Sequence, residues 1–328
     1  MTATPEARSF FSRWRWMRRL GCALAVLTAS AALLLFAAKK VWDAQFFQGY
    51  DSRLALRENR LDRRPVPGGL REKWTLQLTP GKEVPVLFQY ATVPDRKIPC
   101  LVLLYGIGQK MSFLDEIAPL YVQAGMGLIC HEQLGQGERK SEGSKGGWKG
   151  LLALRRRASA NFAEARRIVD FLETRPEVDP RRIFLFGISF GAITGTAPLA
   201  ADSRFSGGIL MWGGGDLPLL LGGDTGSSRS GKNRLSPWAA RLSASLLSPA
   251  EPLDWVRDVG PRPLLFQNAL ADEIIPRRST EAYFQKAAEP KKILWYSCGH
   301  EVGLTKELIQ RIVLDQIAWI GSLPPPAR

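Results

Sequence analysis

Histidine and cysteine are scarce in this chain, which has two histidines and four cysteines in 328 residues. No two cysteines have the Cys-x-x-Cys spacing of a zinc site or a redox pair, so the sequence predicts neither centre. Cys100 and Cys130 lie in strand-like runs, where a thiol behaves as a small buried apolar group, and a disulfide in an oxidising compartment is left open. Any role that needs an imidazole falls to one of only two side chains.

Signatures of nucleotide and nucleic-acid binding are also missing. The Gly-x-Gly at 106–108 is followed by neither the third glycine of a dinucleotide fingerprint nor the Gly-Lys-Ser ending of a phosphate loop. A net charge of +14 would suit a polyanion. Beyond the N-terminus, however, the basic residues are scattered among acids and form no stripe interleaved with aromatics. The sequence predicts no nucleic-acid partner.

The N-terminal 40 residues contain an uncharged run, Leu20 to Ala38, whose 19 residues are long enough to span a bilayer as a helix. We expect a single membrane anchor over about 20–38. A cleaved signal peptide is the alternative, although its apolar core is shorter, about 7–15 residues. Residues 1–40 carry seven basic side chains and one acid. The arginines before the run predict a cytoplasmic N-terminus and a periplasmic or extracellular remainder, while Lys39 and Lys40 weaken this bias.

Residues 41–70 are charged and then rich in proline and glycine, which predicts a linker. Beyond them, strand-like runs alternate with helical patterns, and this alternation predicts an α/β domain over 71–328. Its sheet is expected to be mostly parallel and eight-stranded, with helices on both faces. One helix is predicted over 151–172, with the arginines at 155–157 on its solvated face. The predicted strands are 74–78, 84–90, 98–105, 127–130, 183–186, 208–212, 263–268 and 293–296.

The segment 187–191 reads Gly-Ile-Ser-Phe-Gly and stands between a predicted strand and a helix-compatible run. A sharp strand-to-helix turn that exposes a serine needs glycines on both sides, because side chains there would collide with neighbouring elements. The five-residue pattern is weak alone, and its position after a buried strand strengthens it. Ser189 is the predicted nucleophile.

A serine hydroxyl needs a base to remove its proton. His300 follows the last predicted strand, whereas His131 precedes the serine, and the chain order of serine, acid and histidine favours His300. The imidazolium in turn needs a carboxylate to orient it. Asp272 follows the strand 263–268 and is the predicted acid, with the adjacent Glu273 as the alternative.

An oxyanion that develops during acyl transfer needs hydrogen-bond donors. The backbone N–H of Phe190, next to the nucleophile, is one predicted donor. The N–H of Ile107, in the loop after the strand 98–105, is the other. The predicted site uses no metal ion and no organic cofactor.

With these residues placed, the chain from about 74 to 320 resembles the α/β-hydrolase superfamily and, within it, the branch of dienelactone hydrolases and acetyl xylan esterases. The likeness rests on the elbow at 187–191 and on the segments 131–139, 177–183, 272–276 and 299–301. Two features depart from the family pattern. Tyr105-Gly106 stands where relatives usually carry His-Gly, and the stretch 216–260 occupies the place where the family inserts a lid.

Together, the apolar segment at 20–38, the ordered serine, acid and histidine, and the resemblance predict a membrane-anchored serine hydrolase that cleaves a small or lipid-like carboxylic ester through an acyl-enzyme. Two other functions remain open. A peptidase or an acyltransferase on cell-envelope substrates would use the same three residues. A catalytically silent, membrane-tethered binding protein would keep the scaffold alone.

Overall fold

The computed structural model describes residues 5–79, 81–142, 147–222 and 235–324. The chain divides into two compact units, Met1–Phe46 and Phe47–Arg328. The first unit is built from helix α1 (Pro5–Gln45). The most apolar 18-residue window in Trp16–Gln45 has a mean hydropathy of 2.3, and none of it is buried. By length and composition this helix is able to cross a membrane, and an N-terminal signal sequence has the same properties.

The second unit contains one sheet, with nine strands among the described residues. The strands are β1 (Glu58–Val66), β2 (Gly69–Thr79), β3 (Lys82–Ala91), β4 (Ile98–Leu104), β5 (Gly127–His131), β6 (Val178–Ile188), β7 (Phe205–Met211), β8 (Leu264–Ala269) and β9 (Lys291–Tyr296). Their spatial order is β1-β2-β3-β5-β4-β6-β7-β8-β9. The pairs β1–β2, β2–β3 and β3–β5 are antiparallel, and all the other neighbouring pairs are parallel.

The ninth strand corrects the sequence prediction, which counted eight and placed a linker over 41–70. Strand β1 lies inside that stretch, and eight of its nine residues are exposed. It is an edge strand, so neither face is buried and no alternation of apolar residues marks it. Pro65 near its end is tolerated because an edge strand has backbone groups that need no partner.

Helices cover both faces of the sheet. In β4, the side chains of Cys100, Val102 and Leu104 join one core cluster and those of Leu101 and Leu103 join the other. This alternation is the two-residue period of a strand buried on both faces. The helices are α2 (Leu114–Gln123), α3 (Gly147–Glu173), α4 (Phe190–Ala201), α5 (Leu217–Gly222), α6 (Pro237–Leu247), α7 (Pro252–Trp255), α8 (Arg277–Lys286) and α9 (Lys306–Ser322).

Helix α3 corrects a second prediction, that the arginines at 155–157 form a solvated face. Arg156 alone is exposed. Arg155 is buried and donates to the carbonyl oxygen of Leu246 at 2.7 Å, and Arg157 is half-buried. The reason is that segments following β7 pack over α3, which a helical repeat read by itself does not reveal.

The four cysteines are free, so the disulfide between Cys100 and Cys130 that the sequence left open is not formed. Both thiols are completely buried, and burial raises the pKa of each well above its ordinary value. They act as small apolar groups in the two cores.

The stretch 216–260, which the sequence predicts to be lid-like, connects β7 to β8 and contains α5, α6 and α7. Residues 223–234 of this stretch lie outside the described residues. Leu217, Ala244 and Leu247 form a small apolar cluster with side chains that include Leu151 and Ile193. That cluster attaches α5 and α6 to α3 and α4, beside the predicted nucleophile.

Candidate active site

Ser189 lies at the junction of β6 and α4 with a strained backbone, φ +53° and ψ −115°. A Cβ added at Gly191 would lie 1.9 Å from the carbonyl oxygen of Leu104, and one added at Gly187 would lie 2.6 Å from Ala192 Cα. Only glycine fits at either position, as the strand-turn-helix pattern requires.

His300 reaches the serine from the loop after β9. Its Nε2 atom lies 2.9 Å from Ser189 Oγ, and its ring is 7% exposed. The indole of Trp212 stands beside the ring, with centroids 6.0 Å apart. The structure therefore brings together two predicted residues that are separated by 111 positions in the chain.

Asp272 contacts the other nitrogen of the same ring, with its Oδ2 atom 2.9 Å from His300 Nδ1. Its Oδ1 atom accepts hydrogen bonds from the backbone N–H groups of Ile274, at 2.9 Å, and Ile275, at 2.7 Å. These two hydrogen bonds hold the Asp272 carboxylate in the orientation in which it contacts the His300 ring. An Nδ1–H that donates to Asp272 leaves Nε2 unprotonated and able to accept the serine proton.

Glu273, the alternative acid, has a different place. It accepts from the backbone N–H of His300 at 2.8 Å and from that of Glu301 at 3.2 Å. Partial burial works to raise the pKa of Glu273, but these backbone hydrogen bonds and the nearby His300 hold it below its ordinary value. Sequence reasoning missed this positioning role, because adjacency to Asp272 does not indicate which carboxylate faces the ring.

The two predicted oxyanion donors flank the serine. A Cβ added at Gly106 would lie 3.3 Å from Ser189 Cβ, so the loop after β4 abuts the nucleophile. In this loop the Gly106 N–H donates to Gln109 Oε1 at 2.9 Å, and the Gly108 N–H donates to Gln136 Oε1 at 2.8 Å. Within the described part of the chain, the N–H groups of Ile107 and Phe190 have no such acceptor. Both are available to a ligand.

Tyr105, the first residue after β4, anchors this loop. Its hydroxyl donates to Glu132 Oε1 at 2.6 Å and accepts from the Gln133 N–H at 3.0 Å. Burial is the largest of the causes that raise its pKa far above the ordinary value, so the phenol stays protonated as a donor. The Tyr105 hydroxyl thus ties the start of this loop to the segment after β5.

His131, the other histidine, belongs to a separate buried cluster. Its Nε2 atom lies 3.1 Å from Glu164 Oε2, which also accepts from Arg139 Nη1 at 2.9 Å. Burial works to raise the pKa of Glu164, but His131 and Arg139 hold it below its ordinary value. His131 is completely buried, and the carboxylate that its ring faces is that of Glu164.

Two cavities adjoin the loop after β4. The larger, about 710 Å³, is lined by Ile107, Gly108 and Arg157 among others. The smaller, about 70 Å³, is lined mainly by apolar side chains, including Ile188 and Trp212. Gln109 lies between the two and borders both. Within the described residues, no group of three potential metal-ligating side chains occurs.

No protein-family model and no curated protein matches the sequence. Solved structures do match the fold. An acetyl xylan esterase from Paenibacillus sp. R4 aligns with a TM-score of 0.65 and 18% identity, covering 87% of this chain and 93% of that chain. Acetyl xylan esterase 1 from Thermoanaerobacterium sp. JW/SL YS485 aligns with a TM-score of 0.62 and 15% identity, covering 87% and 94%.

The Pyrococcus horikoshii acylaminoacyl peptidase aligns with a TM-score of 0.58 and 14% identity, covering 84% of this chain and 43% of that one. At identities this low, the structural similarity establishes the fold and not the activity. The chain has the α/β-hydrolase fold, as the sequence predicted.

Proposed function

We propose that this protein is a serine hydrolase that cleaves carboxylic esters through a covalent acyl-enzyme. The observation that carries the proposal is the continuous chain of contacts from Ser189 Oγ through His300 to Asp272, each 2.9 Å long. A nucleophile, a base and an orienting acid in this order are the requirements for acyl transfer. Support also comes from the solved structures of similar fold, several of which are esterases.

In the first half-reaction, Ser189 Oγ attacks the ester carbonyl carbon while its proton passes to His300 Nε2. The carbonyl oxygen becomes an oxyanion that accepts from the N–H groups of Phe190 and Ile107. Asp272 stabilises the imidazolium that forms. Collapse of the tetrahedral intermediate breaks the bond to the alcohol oxygen, which takes the proton from Nε2.

In the second half-reaction, water attacks the acyl carbon and gives its proton to His300 Nε2. The same two N–H groups stabilise the second oxyanion. The acyl bond to Ser189 Oγ then breaks, the serine recovers a proton from the imidazolium, and the carboxylic acid leaves. Protons balance over the cycle, and no cofactor takes part.

A fluorophosphonate probe tests the nucleophile, because it phosphonylates activated serines. We expect labelling at Ser189 in the folded wild type and none in Ser189→Ala or His300→Ala. A folded protein that resists the probe would point to a binding scaffold without catalysis.

A peptidase remains the second candidate, because one similar structure is an acylaminoacyl peptidase. Turnover of 4-nitrophenyl acetate and of an aminoacyl 4-nitroanilide separates the two reactions. We expect the ester to have the higher kcat/KM relative to its uncatalysed rate. Adding alcohol acceptors to the same assay detects acyl transfer through a second product.

We further propose that α1 anchors the protein in a membrane, with the N-terminus cytoplasmic and the hydrolase unit outside the cytoplasm. Support comes from the exposed apolar length of α1 and from the arginines before it. Mass spectrometry of the protein isolated from cells tests cleavage, since a signal peptide would be missing. Protease digestion of intact cells tests the orientation.

A further inference from the structure

Arg157, on α3, lines the larger cavity. Its guanidinium carbon lies 5.0 Å from the centroid of the Phe190 ring, and it shares the cavity with Ile107. Phe190 and Ile107 are the residues whose N–H groups we assign to the oxyanion. A Cβ added at Gly135 would lie 3.2 Å from Arg157 Cδ, so the opposite loop approaches the arginine stem closely. The arginine therefore lies between the Phe190 ring and the loop at Gly135, and it lines the same cavity as Ile107.

The guanidinium has no counter-charge within the described part of the chain. Its Nε and Nη2 atoms are buried without a hydrogen-bond partner there, and burial lowers the pKa of Arg157. By contrast, the buried Arg139 pairs with Glu164 at 2.9 Å and the half-buried Arg71 pairs with Asp115 at 2.7 Å. The half-buried Arg262 has no carboxylate partner among the described residues, but its guanidinium donates to backbone carbonyl oxygens, including those of Leu199 at 2.7 Å and Asp202 at 2.8 Å. Buried N–H groups of a cation that lack an acceptor are costly, because their desolvation is not offset. An anionic ligand would supply the missing acceptor.

The surrounding cavity keeps an excess of positive charge. Of its lining cations, Arg71 is paired as above and Lys73 lies 3.4 Å from Glu138. No described carboxylate lies within ion-pair distance of Lys110 or Lys140, which line the same cavity. Glu132, the remaining acid, accepts from the Tyr105 hydroxyl. The site thus offers one fixed guanidinium and two mobile ammonium groups to an anion.

We propose that Arg157 binds an anionic group, a carboxylate, phosphate or sulfate, on the ester that Ser189 cleaves. This inference rests on the proposed function and adds the charge class of its substrate. A guanidinium offers paired N–H donors that match such groups geometrically. The Phe190 ring, whose centroid lies 5.0 Å from the guanidinium carbon, places Arg157 next to the residue that follows the nucleophile, so the anion and the scissile carbonyl are positioned together. Arg157 is a specificity-determining residue, whereas Ser189 and His300 carry the chemistry.

Matched acetyl esters test the proposal on the alcohol side. The probes are 4-acetoxybenzoate, 4-acetoxyphenyl phosphate, 4-acetoxyphenyl sulfate and the neutral 4-acetoxybenzamide. On the acyl side, the 4-nitrophenyl monoester of glutarate is compared with 4-nitrophenyl pentanoate. We expect kcat/KM for at least one anionic ester to exceed that of its neutral partner on the order of tenfold or more, mainly through a lower KM. The side and the anion that give the effect identify the ligand.

Variants assign the preference to Arg157. Arg157→Gln should lower the anionic-to-neutral ratio of kcat/KM on the order of tenfold, and Arg157→Lys should retain part of it. Intrinsic ester reactivity cancels when this ratio is compared between proteins. Arg156→Gln is the matched control. The Arg156 side chain is next to Arg157 in the sequence but is exposed, so this substitution should leave the ratio unchanged. Labelling by the fluorophosphonate probe checks that each variant is folded.

Equal ratios in the wild type and in Arg157→Gln would overturn the proposal, as would an equal loss in Arg156→Gln. Failure of the proposed function is a separate result, recognised when no ester at all is hydrolysed. In that case calorimetric titration with benzoate, inorganic phosphate and sulfate decides the anion site. Binding to the wild type that Arg157→Gln abolishes would sustain it, and absence of binding would remove it.

Discussion

Two adjacent carboxylates contact different parts of the same histidine, His300. Asp272 faces the ring and is fixed by two backbone N–H groups. Glu273 faces the backbone of His300 and never meets the ring nitrogens. The difference arises because successive side chains in the loop after β8 point in different directions, so each acid can be changed alone.

Asp272→Asn should lower kcat by about 10³- to 10⁴-fold with little change in KM. The amide can donate to Nδ1, which would hold the imidazole in the tautomer whose Nε2 carries a proton and cannot accept from Ser189. Steady-state turnover of 4-nitrophenyl acetate measures this. A loss below tenfold would mean that Asp272 is dispensable for the histidine.

Glu273→Gln should reduce the free energy of unfolding at pH 7 by about 1 kcal/mol, since two backbone groups lose a charged acceptor. The pKa of Glu273 is lowered in the folded protein, so its stabilisation is present above the unfolded pKa and is lost as pH falls through the folded one. The difference between wild type and variant should therefore vanish only below the ordinary glutamate value of 4.5.

Urea denaturation at pH 7 and at pH 3 measures that difference. Glu301→Gln is the control, because it removes the same charge from an exposed side chain next to His300. An effect of Glu273→Gln that persisted unchanged at the lower pH would contradict the assigned role of its charge.

At the scale of elements, the turn between β6 and α4 depends on the end of β4. Gly191 packs against the carbonyl oxygen of Leu104, the last residue of β4, and the loop that follows carries Ile107. This backbone contact thus joins the turn that holds Ser189 to the strand that leads to Ile107, the proposed oxyanion donor. A change in the turn alters both.

Gly191→Ala should destabilise the protein by about 1–3 kcal/mol and lower kcat, because the new methyl group forces the turn and β4 apart. Gly321→Ala is the matched control within α9, where an added Cβ meets nothing within 4 Å. It should stabilise by about 0.5–1 kcal/mol, because alanine has the higher helix propensity. Urea denaturation and ester turnover measure both. Equal stability of the two variants would contradict the contact with Leu104.

Most elements were predictable because their burial leaves a regular pattern. The eight predicted strands correspond to β2–β9, and the helix predicted over 151–172 is α3. Strand β1 was missed because its side chains are exposed on both faces. The environment of Arg157 was missed because it depends on the loop at Gly135 and on Phe190, which folding brings to α3. A pattern within one element contains no information about such neighbours.

The same reasoning applies to the site. Glycine spacing and chain order were enough to select Ser189, His300 and Asp272, and the structure brings these three side chains together. Neither signal separates the contacts of Asp272 from those of Glu273, because both acids stand at the same strand end. That distinction depends on local backbone geometry.

At the scale of the whole molecule, the chain is divided between a long apolar helix and an α/β domain. The boundary between the two units lies between Phe46 and Phe47. Leu33, Leu34 and Leu35 in α1 are about 70% exposed, as expected of side chains that meet lipid rather than a protein core. The second unit, Phe47–Arg328, has its own two cores and contains the whole candidate site.

This division predicts that a chain of residues 47–328 folds and works without α1. We expect it to remain in the soluble fraction of a lysate and to be labelled at Ser189 like the full chain. Full-length protein should instead pellet with membranes and resist carbonate extraction, because its apolar span is buried in lipid. A fusion of residues 1–46 to a fluorescent protein should pellet likewise. A truncated chain that still pelleted would place the membrane affinity in the hydrolase unit, since α1 would no longer be there to supply it.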